Sequence, residues 1–220
     1  MRRPLPLAWL IVLLFAYVYN ISFLAAPSVT TGRVALLLLL PLYAGSLAPA
    51  WRAVGPAQRA ALLVVLLVLA YATLQLLLVS EGDTVQFSRL MHFVFYVLLG
   101  SALFAAASGY DADRFARAFA LTTAVQGVLI FYSFVSPGFR LWLGQRLVQG
   151  GNIPFTTPLQ APGFSNSSGA ALSLVQALGM FTALLAARRA VGRPRRLLLL
   201  VAALAGASTL VVGRTGLQLA

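Results

Sequence analysis

The chain has no cysteine and no lysine, a single histidine and only four carboxylates. Each shortage removes a class of chemistry. Without cysteine there is no disulfide, no thiol nucleophile and no thiolate metal site. His92 with Glu81, Asp83, Asp111 and Asp113 is too small and too dispersed a set to build a metal centre, so neither a metal nor a cofactor is expected. No glycine-rich loop ending in lysine occurs, and nothing points to an ATP-driven pump. The net charge of +12 rests entirely on sixteen arginines. They are scattered between apolar runs and form no continuous basic stripe, which argues against nucleic acid as a partner.

What abounds is apolar side chain. Of 220 residues, 60% are hydrophobic and 9% are charged, the balance of a membrane protein rather than of a soluble core. A helix needs about 17 to 25 apolar residues to cross a bilayer. Runs of that kind fall at 5–25, 33–49, 59–80, 89–108, 115–136, 168–187 and 196–213. All are expected to be helical, because a backbone in lipid must satisfy its own hydrogen bonds. The expected fold class is therefore all-α: a multi-pass transmembrane helical bundle of about seven spans, forming one domain over 1–220. The first span begins with Arg2-Arg3, but its apolar stretch is longer than a signal-peptide core. Pro41 should kink the second span, and Asp111 and Asp113 have the character of N-caps for the fifth. The chain stops at Ala220 with no polar tail after the last apolar run, so it is expected to be the N-terminal part of a longer protein.

Orientation follows from the arginines, which concentrate on the cytoplasmic side of membrane proteins. With the N-terminus in the cytoplasm, Arg2, Arg3, Arg52, Arg59, Arg114, Arg117, Arg188, Arg189, Arg193, Arg195 and Arg196 lie inside. The last five form the strongest topological signal and suit contact with acidic membrane lipid. Arg33, Arg89, Arg140, Arg146 and Arg214 lie outside, against the trend. The loop at 137–167 also lies outside, and loops of that length are usually functional or disordered. Within it, 139–148 is expected to form an interfacial helix, with Trp142 at head-group level and Arg140 and Arg146 reaching toward water.

Two segments carry a resemblance. The outer loop ends in Pro162-Gly163-Phe164-Ser165-Asn166-Ser167-Ser168-Gly169 and leads into a span. After a basic turn, the last span runs into Gly213-Arg214-Thr215-Gly216. This order resembles the O-antigen polymerase and O-antigen ligase superfamily of bacterial envelope proteins, with Phe87-Ser88-Arg89 as a weaker element. Ser167-Ser168 departs from the family pattern, which often has a second asparagine and a proline there. The resemblance covers the last sixty residues or so; the earlier spans agree only in spacing and hydropathy.

The resemblance implies a metal-independent glycosyltransferase of the bacterial cytoplasmic (inner) membrane, working at its outer face. Its partner would be a glycan carried on undecaprenyl pyrophosphate, alongside membrane lipid and other polysaccharide assembly proteins. A polymerase passes the glycan to another lipid-linked glycan, whereas a ligase passes it to a lipid A core. The leaving pyrophosphate calls for arginine, whose planar fork matches phosphate oxygens at any working pH. Arg214, Arg89, Arg140, Arg146 and Asn166 are the candidate substrate-binding residues, and no catalytic residue can be named. The bland readings stand beside them. Arg214 suits a helix-end anchor, Arg89 a local ion pair with Glu81 or Asp83, and Asn166 a turn former. His92 suits a structural hydrogen bond better than catalysis, and Arg33 suits topology alone. A secondary transporter or lipid-linked glycan flippase is the reading from another class. It calls for ionisable groups near the midplane and paired broken helices, and no internal repeat is evident.

Overall fold

The computed structural model describes residues 3–46, 96–147, 163–164 and 170–217, with isolated helical positions between 63 and 74. Helix dominates. The first, α1 (Leu7–Tyr19), stops at Asn20, which adopts a left-handed conformation with φ 42° and ψ 53°, a region asparagine tolerates better than most residues. The chain then turns into an antiparallel hairpin of β1 (Ser22–Phe23) and β2 (Ala26–Thr30). Thr31 fixes this corner. Its hydroxyl accepts from the Ile21 N–H at 2.8 Å and donates to the Ala16 carbonyl at 2.7 Å.

Helix α2 (Thr31–Tyr43) follows and tightens into a 3-10 turn over Ala44–Ser46. Pro41 lies inside α2 and withholds one backbone donor from its last turn. A π-helical turn at Tyr96–Gly100 leads into α3 (Ser101–Ala107). Then come α4 (Ala112–Val135), the short α5 (Pro137–Gly144), α6 (Ala170–Arg189) and α7 (Arg193–Leu217). Asp111 caps α4, its carboxylate accepting the Arg114 N–H at 3.0 Å. Asp113 sits in the first turn, where a negative charge suits the helix dipole.

Among the described residues, three helices are long and apolar enough to cross a membrane: Ala112–Val135, Ala171–Arg189 and Arg193–Val212. The chain is a mainly helical membrane protein, and the fifth, sixth and seventh expected spans are these three. The first two expected spans are shorter than read. At 13 residues each, α1 and α2 reach only about 20 Å, against a hydrocarbon core of about 30 Å. The hairpin has taken up the residues between them. Of the expected span 59–80 only isolated helical positions are described, and the described part of 89–108 begins at Tyr96, with the π turn and α3.

The chain divides into two compact units. The first comprises Met1–Pro4 and Leu39–Tyr110. In it the Tyr43 hydroxyl donates to the Arg3 carbonyl at 3.1 Å, and the Tyr110 hydroxyl to the Ser46 carbonyl at 2.7 Å. The second comprises Leu5–Leu38 and Asp111–Ala220, and carries α1, the hairpin and α4 to α7. There α4, α6 and α7 pack on one another and α1 lies along α4.

The packing of the second unit rests on small side chains. Lipid tails are as apolar as leucine, so helices in a membrane associate by close approach rather than by hydrophobic expulsion. Ala120 and Ala124 of α4 meet Ala183 of α6 and Val201 and Ala202 of α7 in one buried cluster. Gly179 of α6 lies so near α4 that an added Cβ would stand 2.5 Å from the Thr123 Cβ. Toward the other end the core widens, with Tyr19, Ile21, Ile130, Leu143, Leu147, Leu172 and Val212 in contact.

Cross-links define the two ends of this unit. At one end Arg189 Nη1 meets Asp113 Oδ1 at 2.6 Å, and the Arg114 guanidinium donates to the Leu5 carbonyl. Arg114, Arg117, Arg188, Arg189, Arg193, Arg195 and Arg196 all belong to this end. At the other end the hairpin joins the residues after α5. The Leu24 N–H donates to the Arg146 carbonyl at 2.8 Å, and Phe23 bridges Leu147. Arg33, Arg140 and Arg146 belong here, and Arg33 Nη1 holds the hairpin through the Ser28 carbonyl at 2.9 Å. Among the described arginines of this unit, those read as inside and those read as outside thus fall at opposite ends.

Candidate functional site

The end holding the hairpin and α5 gathers Arg33, Arg140 and Arg146, three of the five arginines that oppose the topological trend. Helix α5 starts where local chemistry places it: the Ser136 side chain accepts the Phe139 N–H at 3.3 Å, and Pro137 takes the first helical position. The interfacial helix expected over 139–148 therefore begins two residues earlier and ends at Gly144.

Arg140 and Arg146 were expected to behave alike, and they do not. Arg140 is 5% exposed. Its Nη1 donates to the carbonyls of Ser133 at 2.9 Å and Phe134 at 2.7 Å. These carbonyls close α4, where the last turn has no N–H partners of its own. A guanidinium there also meets the negative end of the helix dipole. Arg140 does not reach toward water, because α5 folds back and brings those carbonyls nearer than the solvent. What it does in this position is cap α4.

Arg146 is exposed. Its guanidinium carbon lies 5.4 Å from the centre of the Trp142 ring, and its carbonyl is held by Leu24. Trp142 stacks on Phe139 with centroids 5.9 Å apart and planes 12° apart. Tyr132 and Phe164 complete the cluster, at 4.7 Å and 6.1 Å from Phe139. A guanidinium lying over an indole keeps its in-plane N–H groups for acceptors. Among the described residues Arg146 has no carboxylate partner. It is an exposed cation lying over an aromatic ring.

The Gly163-Phe164 pair of the 137–167 loop is anchored on α4. The Phe164 N–H donates to Gln126 Oε1 at 3.2 Å. Gly163 has φ +58°, and a Cβ on it would come 2.8 Å from Gln126 Nε2, so glycine is required on both counts. Gln126 is fully buried, and nothing in the sequence reading singled it out. A second buried chain was also missed: Gln176 Nε2 donates to the Tyr19 hydroxyl at 3.1 Å, and the Ser208 hydroxyl donates to Gln176 Oε1 at 3.1 Å. The available signal was a lone glutamine inside each apolar span. Bonds of this kind between membrane helices contribute about 0.6 kcal/mol on average.

Arg214 was expected one turn beyond the last apolar helix. Instead α7 continues to Leu217, so Gly213-Arg214-Thr215-Gly216 is part of the helix, where a cation suits the C-terminal turn. Because α7 starts at the arginine-rich end, it carries Arg214 toward the end occupied by α5; the Arg214 side chain lies outside the described residues. Arg89, His92, Glu81, Asp83, Asn152 and Asn166 lie outside them altogether. Of the five candidate site residues, the structure thus brings Arg140 and Arg146 to one end and directs the Arg214 backbone there.

These features define a helical membrane protein with one arginine caged in structure and another presented at the bundle end. Comparison with protein-family models, with curated proteins and with solved structures finds no match for this chain.

Proposed function

We propose that this protein polymerises undecaprenyl-pyrophosphate-linked glycan repeat units at the outer face of the bacterial cytoplasmic membrane, by metal-independent glycosyl transfer. The observation that carries the reading is Arg146, stacked over Trp142, pinned through its carbonyl and unneutralised by any described carboxylate. In such a reaction an acceptor hydroxyl attacks the anomeric carbon of the donor, the bond to the pyrophosphate oxygen breaks, and the hydroxyl proton is released to water. Negative charge grows on that leaving group, and a positioned guanidinium stabilises it by paired, charge-assisted hydrogen bonds. Arg146 and Arg214 are assigned this role, with Arg89 and Asn166 completing the substrate contacts. Arg140 supports them by holding α5 on α4.

The proposal includes a multi-pass helical bundle and a cytoplasmic N-terminus. The arginine-rich end of the second unit supports that orientation. The absence of cysteine makes the test direct. Gln145→Cys should be labelled only from outside and Pro194→Cys only from the cytoplasm; the reverse pattern would overturn the orientation.

The ligase reading differs only in acceptor. The transporter reading is less well supported. Among the described residues, the buried polar side chains within α4, α6 and α7 are Thr122, Thr123, Gln126, Ser133, Gln176 and Ser208, none of which titrates in the physiological range. Replacing Arg214 by lysine keeps the charge and loses the planar fork. Arg214→Lys should impair polymerisation and leave membrane insertion intact, while Arg33→Lys should change little. Normal polymer from both Arg214→Lys and Arg214→Ala would end the role assigned to Arg214.

A further inference from the structure

The turn between α6 and α7 has features that orientation alone does not need. Arg188 and Arg189 end α6, and Arg193, Arg195 and Arg196 begin α7, all of them exposed. Between them Val191 is 88% exposed, held out by a turn in which Gly192 has φ +70°. Among the described residues the one ion pair is Arg189 with Asp113, and Arg188, Arg193, Arg195 and Arg196 have no carboxylate partner there. Moreover, arginine in the first turn of a helix opposes the helix dipole, and α7 has three there with no acidic residue to offset them. Helix stability does not account for them; an anionic counterpart does.

We infer that the α6–α7 turn is a binding site for anionic phospholipid head groups, with Val191 entering the interface between the arginines. The occupant follows from charge and place. The turn joins two helices long enough to cross the membrane, so it sits at head-group level. Four unpaired guanidinium groups match phosphodiester oxygens, and an apolar tip among them matches the acyl boundary. A soluble acidic protein would satisfy the charges and leave Val191 in water. This site lies at the end of the bundle opposite α5, and it does not depend on the glycosyl-transfer proposal.

The test uses the whole purified chain in nanodiscs of phosphatidylcholine with increasing phosphatidylglycerol, reading lipid enrichment around the protein with a spin-labelled lipid of each head group. The native chain should enrich phosphatidylglycerol over phosphatidylcholine. Arg195→Gln with Arg196→Gln should reduce that preference by about 25-fold, at roughly fivefold for each arginine near the surface. Val191→Ser leaves every charge and the topology unchanged, and should weaken retention about three- to tenfold. Inorganic phosphate should not compete at concentrations matching the lipid phosphate. Equal association of both lipids with the native chain would overturn the inference, as would a native preference in both variants. Displacement of phosphatidylglycerol by a soluble polyglutamate peptide would overturn it in favour of a protein partner.

Discussion

Gly179→Val is expected to separate α6 from α4 and to lower the stability of the second unit by about 3 kcal/mol, the upper end for overpacked cores. The smallest side chain would already bring a Cβ to 2.5 Å from the Thr123 Cβ. Thr123 is fully buried, and its Cβ is placed by the backbone whatever the rotamer, so it cannot swing away. The helices must move apart, and the alanine contacts around Ala120, Ala124 and Ala183 loosen with them. Thermal unfolding in detergent would read the loss. The swap of Thr123→Gly with Gly179→Ala moves the small residue to the facing helix, and should restore most of the stability less about 1 kcal/mol for the new helical glycine. An unaltered unfolding temperature in Gly179→Val would mean that the two helices do not approach as described.

Arg140 and Arg146 should respond to the same substitution in opposite ways. Arg146→Ala is expected to lower polymerisation by about a hundredfold, the scale of losing one positioned donor to a developing anion. It should cost no more than about 1 kcal/mol of stability, the value of an exposed cation over an aromatic ring. Arg146→Lys should fall between the native protein and Arg146→Ala, because the charge remains and the fork does not. Arg140→Ala should instead cost about 2 to 3 kcal/mol, because it removes charged hydrogen bonds and leaves the Ser133 and Phe134 carbonyls unpaired. Its activity should fall in step with folded protein rather than ahead of it. Parallel measurement of unfolding and polymer yield separates the two. Equal stability losses with equal activity would contradict the division of roles.

Much of the bundle was legible because apolar length is a one-dimensional property. The runs 115–136, 168–187 and 196–213 lie within a few residues of α4, α6 and α7, and Asp111 behaves as the cap it resembled. The first span was read too long because Asn20 in a left-handed conformation ends α1 within a run that stays apolar through Phe23 and Leu24. The hairpin was not foreseen: its strands are two and five residues long and show no alternation to find. The site was less legible, because its decisive contacts join residues distant in sequence. Gln126 meets Phe164 across 38 positions. Nothing local distinguishes Arg140, folded back onto its own preceding helix, from Arg146, laid over Trp142. The seven-residue step from Ser133 to Arg140 becomes a contact only once α5 reverses on α4. The glycine at 163 is clearer in retrospect: its positive φ and its contact with Gln126 give the Gly-Phe pair a mechanical reason.

The central claim is glycosyl transfer at the outer face, and the location of unpolymerised repeat units tests it most directly. In a strain lacking this protein, lipid-linked glycan can be quantified separately on the two leaflets of the cytoplasmic membrane. Single repeat units should accumulate on the outer leaflet with no long chains, and recovery should follow return of the native protein but not of Arg146→Ala. Single units confined to the inner leaflet would mean that the protein moves the substrate rather than joining it. Long chains left on their lipid carrier beside uncapped core would mean a ligase, and unaltered polymer with unaltered core capping would remove the enzyme altogether.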